Sequence, residues 1–593
     1  MANQNKQSTK DPIVNCHTHI FTGDHVPPYI AKTFVFWPVY KWLNVHRIIR
    51  LYKFFTRLKN KWLYSQSSLY NRIKRLLARI KLSLFGRIFL KLFLYWLIIN
   101  TLYIICQLET VRVYILETTG IIVNKLTALD FIPYYFSKII DFFLSVGILL
   151  NTSSLWIQMA IVVLAFASAK MIRNLISFLL KHAYGLIKIL PGKKSQGLIE
   201  RYILLAKFAM YQKQSGIFPK LRHQYPDDSR FIALPMDMEF MDAGKVPVSY
   251  PEQMADMSTL KKSRTMGKYL EPFIFIDPRR IETHHGFLDC DIQEGKVTLK
   301  DCDVQNYLNE GFSGFKIYPA LGYYPFDEAL LPLWKYAADE ELPIMTHCIG
   351  GTIYYRGKKK KEWNTHPVFL ESDGKGNTRP LSLPQKKNVN FSVNFTHPLN
   401  YLCLVSEPLL RKLVKDAKSD DIRTLFGYVD DQTPLKHDLS HLKICLAHFG
   451  GEEEWVKYLE SDRNAFSQRL IRDRATGLNF SVDNSSALNW NILSKIWHGV
   501  DWYSIICSLI VQNKNIYTDI SYILSKPRIL PLLQETLDLN LNPHLRKRVL
   551  FGTDFYVVRN HFSEKDLLVQ IKAGLSDEEF DLIARENPKS YLR

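Results

Sequence analysis

Val14-Asn15-Cys16-His17-Thr18-His19 is the stretch whose reading decides the fold. Side chains alternate along a β-strand with a period of two, so imidazoles at i and i+2 on a short apolar run share one face. Two nitrogen donors side by side at a strand end make a seat for a divalent metal. An H-x-H pair alone is weak evidence. Here, however, three later segments repeat the pattern of an apolar strand ending in a metal-competent side chain: Pro343-Ile-Met-Thr-His347, Lys443-Ile-Cys-Leu-Ala-His448 and Val549-Leu-Phe-Gly-Thr-Asp554.

Between these anchors, strand and helix signals alternate from about Pro226 to the end. Phe231–Met238, Phe273–Asp277, Gly314–Pro319 and Ile516–Ile520 read as further strands, with helices over Asp301–Glu310 and Leu330–Glu341. With the four anchored strands this makes eight strands separated by helical segments, the signature of an α/β protein of the (β/α)8 TIM-barrel type. Active sites of that fold lie at the C-terminal strand ends. His17 and His19 fall there on strand 1, His347 on strand 5, His448 on strand 6 and Asp554 on strand 8. Asp519, on strand 7, is open between a structural and a catalytic role.

At 593 residues the chain exceeds what one hydrophobic core supports. Residues 1–24 read as barrel strand 1, 25–224 as a mainly helical insertion in the first βα loop, and 225–593 as the rest of the barrel. The formal charge of +20 is unevenly placed: His25 to Leu108 holds fifteen Lys/Arg and no Asp or Glu, and Lys170 to Arg222 eleven Lys/Arg against one acid. Two stretches break this pattern, Leu92–Leu108 and the 28 uncharged residues from Phe142 to Ala169. A bilayer core takes about 20 apolar residues per helix. With basic outer flanks and a mixed connection, the positive-inside rule predicts a membrane hairpin with both ends, and the barrel, on the cytoplasmic side. Basic, aromatic helices of this kind also suit lying flat on anionic lipid. Anionic membrane lipid is the expected partner; nucleic acid is not, since it leaves the uncharged stretches unexplained. The eight cysteines are scattered without C-x-x-C spacing, which points to a reducing compartment. A polar N-terminus leading straight into the His17 strand predicts no cleavable signal peptide.

The combination of N-C-H-T-H (15–19), G-F-K-I-Y-P (314–319), T-H-C (346–348), A-H-F-G-G (447–451), F-G-T-D (551–554) and E-N-P-K-S-Y-L (586–592) resembles the amidohydrolase superfamily, in its amidohydrolase-related branch of metal-dependent hydrolases and decarboxylases. The resemblance covers residues 11–23 and 225–593. It implies His17, His19 and His347 as metal ligands, Asp554 as the carboxylate that touches the metal and activates its water, and His448 as an acid/base or electrophile. Asn15 stands where many relatives carry Asp, at a position that supports the site from behind. Lys316 matches a lysine that bridges two metals in binuclear relatives, but its G-F-K-I-Y-P setting is that of the mononuclear branch. Lys316, Tyr318, Tyr354 and Arg356 are the substrate-facing candidates.

The cofactor expected is a divalent metal, Zn2+, as one ion rather than two. Three functions follow: a metal-dependent hydrolase cleaving a C–N or ester bond at a membrane; a metal-dependent non-oxidative decarboxylase; or a non-catalytic membrane-anchored binding module. A lipid-facing loop beside the barrel mouth suggests a small amphiphilic substrate. Oligomeric state is not legible.

Overall fold

The computed structural model describes residues 10–50, 83–107, 131–168, 213–460, 476–480, 488–555 and 563–592, apart from short gaps within these spans. The chain divides into two compact units, one of residues 1–53 and 197–593, the other of residues 54–196. The first part of the expected insertion therefore belongs to the barrel unit. Val26, Ile30 and Val45 are buried in its core, and the Tyr29 amide donates to the Ala243 carbonyl.

The barrel unit is built on parallel strands: β1 (Val14–Thr18), β2 (Arg230–Ala233), β3 (Leu270–Pro272, resuming as Ile274–Phe275), β4 (Phe315–Lys316), β5 (Ile344–His347), β6 (Ile444–Ala447), β7 (Ile516–Asp519) and β8 (Val549–Leu550). Each pairs with the next in sequence order. The circuit closes where the Cys16 amide donates to the Phe551 carbonyl, Asp554 to His17 and His19 to Phe555. The parallel ladder thus has no open edge at this seam. Nearly every strand residue is buried, as strands covered on both faces require. Val14, Cys16, Ile232, Leu234, Met345, Cys445, Tyr517 and Leu550 pack together as one cluster, while Ile344, Ile444, Leu446 and Ile516 join the larger core under the helices.

The β1–β2 register slips between Asn15 and Thr18, so the strand is irregular at His17 itself. At the opposite side of the seam sits Gly552, where an added Cβ would lie 2.8 Å from the Cβ of His17.

The second unit holds the helices Leu84–Gln107, Phe131–Ser145 and Leu155–Ser168. The first and third meet through Leu97, Ile161 and Ala165. Asn100 fixes the turn between the second and third: its amide donates to the Ile148 carbonyl and its oxygen accepts from the Leu150 amide.

The expected membrane hairpin is corrected here. Among the described residues no helix is long and apolar enough to cross a membrane. The 28-residue uncharged stretch is not one helix: it ends one helix at Ser145, turns through Gly147 at φ +74°, and starts another at Leu155. That last helix has 14 residues, about 21 Å at 1.5 Å per residue, against a hydrocarbon core of about 30 Å. The basic flanks at 51–82 and 169–212 lie outside the described residues.

The seam generates a prediction. Gly552→Ala forces β8 away from β1 at His17 and is expected to cost about 1–3 kcal/mol of barrel stability. Chemical denaturation of the variant beside the unaltered protein measures it; an unchanged midpoint would show that the seam absorbs a methyl group without moving.

Candidate metal centre

The end of β1 and the loop after β8 bring His17, His19 and Asp554 together. His19 Nε2 lies 3.3 Å and His17 Nε2 3.9 Å from Asp554 Oδ1, and all three ligand atoms fall within 4.8 Å of one another. All three side chains are buried.

What each imidazole offers follows from its other nitrogen. His17 Nδ1 sits 2.8 Å from the carboxylate oxygen Asp519 Oδ2, which only accepts, so Nδ1 carries the proton. Likewise His19 Nδ1 donates to the Leu234 carbonyl at 2.9 Å. Both tautomers, assigned from these partners, leave a lone pair on Nε2 directed toward Asp554. His17 Nε2 has no hydrogen-bond partner among the described residues. A buried, orphaned imidazole nitrogen beside a carboxylate is a polar group waiting for a cation, and this donor set fits a divalent ion of the zinc class.

Asp519 does more than hold His17. It also accepts from the backbone amides of His448 (3.0 Å) and Ser521 (2.9 Å) and from the Ser521 hydroxyl. Having given its only proton to Asp519, the Ser521 hydroxyl accepts from His448 Nδ1 at 2.8 Å. His448 Nε2 is then the acceptor for His347 Nδ1 at 3.0 Å. One carboxylate thereby sets the tautomers of His17 directly and of His448 and His347 in series. His17, His448 and Asp519 also have ligand atoms within 4.8 Å of one another, but the donors already aimed at Asp519 account for that grouping.

The electrostatics agree with neutral ring nitrogens. Burial pushes His17 well below the ordinary imidazole range, with the Lys316 ammonium adding to it, and burial plus His17 push His448 down to about 3. Burial alone would raise the Asp554 carboxyl; its close contact with His19 and the surrounding imidazoles hold it below the usual carboxylate range.

Of the four ligands expected from sequence, three converge. His347 stands beside them, with its ring 4.7 Å from His448 and stacked at 4.1 Å on Tyr318. Lys316 is fully buried, its amine has no hydrogen-bond partner among the described residues, and burial lowers it to about 8. Tyr354 and Arg356 are grouped with Thr33: the Tyr354 hydroxyl lies 3.0 Å from Thr33 Oγ1, and the Arg356 guanidinium donates to that oxygen while stacking on Tyr354. Asn15 supports the site from behind. Its amide donates to Tyr225 and Thr553, both of which donate to Glu564, and its oxygen accepts from the Thr553 amide.

Sequence reasoning left Asp519 undecided and missed Ser521. The available signal was T-D-I-S on strand 7: a carboxylate at a strand end followed two residues later by a hydroxyl. His284 is exposed and lies 3.3 Å from Asp303. His366 and His397 are buried around Trp497.

Asp519→Asn replaces an acceptor of several donors by a side chain with one carbonyl and a competing NH2. Metal affinity, read by titrating the apoprotein, is expected to fall 10–100-fold. Ser521→Ala, which leaves the His17 contact intact, is expected to hold affinity within a few fold. Equal losses in both variants would mean that Asp519 acts through general packing, not through His17.

No protein-family model matches the chain, and no curated protein does. Among solved structures it is similar to an amidohydrolase from Mycobacterium avium subsp. paratuberculosis K-10 (13% identity, 66% of this chain and 76% of that one, TM-score 0.28). An amidohydrolase from Burkholderia multivorans (10%, 69% and 93%, TM-score 0.31) and a 5-carboxyvanillate decarboxylase from Sphingomonas paucimobilis (8%, 66% and 85%, TM-score 0.33) also match. At these scores the likeness carries no argument about the reaction, which rests on the chain's own geometry. By name, two of these three structures are amidohydrolases and the third is a decarboxylase.

Proposed function

We propose that this chain is a metal-dependent hydrolase of the amidohydrolase type, with His17, His19 and Asp554 holding a divalent cation. The observation that carries this reading is the convergence of two tautomer-fixed Nε2 lone pairs on one ionised carboxylate oxygen within 4.8 Å. A divalent ion bound there supplies a water of depressed pKa and polarises the scissile carbonyl of an amide or ester.

The chain's own groups then divide the proton work. Asp554, kept ionised by its neighbours, orients the nucleophile and accepts its proton. His448 takes up a proton at Nε2, its acceptor atom. Behind its Nδ1, Ser521 and Asp519 hold the ring and offset the charge it acquires. Lys316 and Tyr318 are the substrate-facing candidates nearest this machinery, and His347, stacked on Tyr318, is the fourth ligand that the resemblance implies.

Elemental analysis of the purified protein, paired with a product screen on amides, esters and carboxylated rings, tests the proposal. About one divalent ion per chain is expected, with products that have gained water. His17→Ala and Asp554→Ala are expected to lose metal and turnover together. His448→Ala should lose about 10²–10⁴-fold in turnover while retaining metal. Release of carbon dioxide without hydrolysis would assign the decarboxylase alternative. Far less than one ion per chain, with none restored on reconstitution, would leave a binding module in place of an enzyme.

A further inference from the structure

The second unit is patterned the wrong way round for water. In the helix Leu84–Gln107, Phe85, Phe89, Leu92, Ile99 and Leu102 recur at helical spacing along one face, and all are exposed, Phe85 to 85%. The face turned inward instead buries polar groups. Asn100 and Thr101 lie there, Asn100 bonded to the Trp96 and Ile148 carbonyls and Thr101 to the Leu97 carbonyl. The helix Leu155–Ser168 packs Ile161 and Ala165 against Leu97, while Leu155 and Trp156, the latter 77% exposed, point away from that contact. A helix in water puts its polar residues outside. Exposed apolar area of this extent marks an interaction surface.

The charge of the same unit selects the occupant. Residues 54–196 carry nineteen Lys/Arg and four Asp/Glu, +15 of the chain's +20. A second copy would bring two strongly cationic units face to face. An anionic lipid surface meets both properties at once, since it offers acyl chains to Phe89 and Leu92, an interfacial layer to Tyr95, and negative headgroups to the cations. Among the described residues no helix is long and apolar enough to cross.

We propose that the outward apolar face of the Leu84–Gln107 helix beds into one leaflet of an anionic bilayer, without spanning it. This surface is independent of the metal centre.

Flotation of the full chain with vesicles tests it, using phosphatidylcholine alone or phosphatidylcholine with phosphatidylserine, at low salt and at about 1 M salt, where the Debye length falls to about 3 Å. The chain is expected to float with the phosphatidylserine vesicles at low salt and about tenfold less with phosphatidylcholine or at high salt. The triple substitution Phe85→Ser, Phe89→Ser, Leu92→Ser changes only exposed positions and should lower partition about tenfold or more. Metal content of the variant, a property of the other unit, reports that the chain has folded. Three results would overturn the proposal: no flotation with phosphatidylserine vesicles, equal flotation of the triple variant, or equal binding to both lipids at every salt. So would a dimer that ignores vesicles and that the triple substitution converts to a monomer, since the occupant is then a second copy.

Discussion

The buried carboxylate of Asp519 is the constraint on which the candidate centre depends. An ionised carboxylate out of water costs several kcal/mol unless donors replace its hydration. Four do so here: the His17 ring, the His448 and Ser521 amides and the Ser521 hydroxyl. Because a carboxylate only accepts, the direction of every proton in the chain of contacts behind it is fixed. That is why two histidines on different strands, His17 and His448, present acceptor nitrogens at the same time. A side chain that can both donate and accept in this place would leave the tautomers free to interchange, and the lone pair on His17 Nε2 would be available only part of the time.

The backbone contributes a second fixed quantity. Among the described residues six other than glycine have positive φ, and four of these lie just beyond β6, β7 and β8: His448 (+66°), Phe449 (+45°), Tyr522 (+65°) and Asp554 (+56°). Left-handed backbone costs a side-chain-bearing residue about 1–3 kcal/mol and persists where surrounding structure over-determines it. Here the determinants are the amide of His448 on Asp519 and the amide of Asp554 on the His17 carbonyl, which is also a bond that closes the barrel. Barrel closure and the placing of Asp554 are therefore one event. Gly552 belongs to it too, because only a residue without a Cβ lets the eighth strand approach His17 so closely.

Much of this was legible before any coordinates. Strand ends are written in the sequence as apolar runs terminated by polar residues, and the anchored segments form β1, β5, β6 and the β8 seam. Three of four expected ligands share one cluster for the same reason: donors at strand ends of a parallel barrel converge by topology. The supporting residues were less readable. Asp519 and Ser521 act through distances to residues more than 70 positions away, and no local spacing encodes that. The slip at Asn15–Thr18 also escaped a simple alternation of side chains, because a register shift depends on the partner strand.

The second unit shows where counting hydropathy goes astray. A window of uncharged residues reports composition but not direction, and the chain turns within the window, at Gly147 and on to Ser154. Asn100 secures that turn from another helix, so the polar atom that ends the apolar run lies some fifty residues away in sequence. That turn breaks the uncharged stretch but leaves the first helix whole, and its 24 residues meet the third helix only through a narrow strip, here Leu97 with Ile161 and Ala165. Phe85, Phe89, Leu92 and Trp156 are left over from that strip, and the hydrophobic effect that closes the barrel leaves them exposed on this pair of helices.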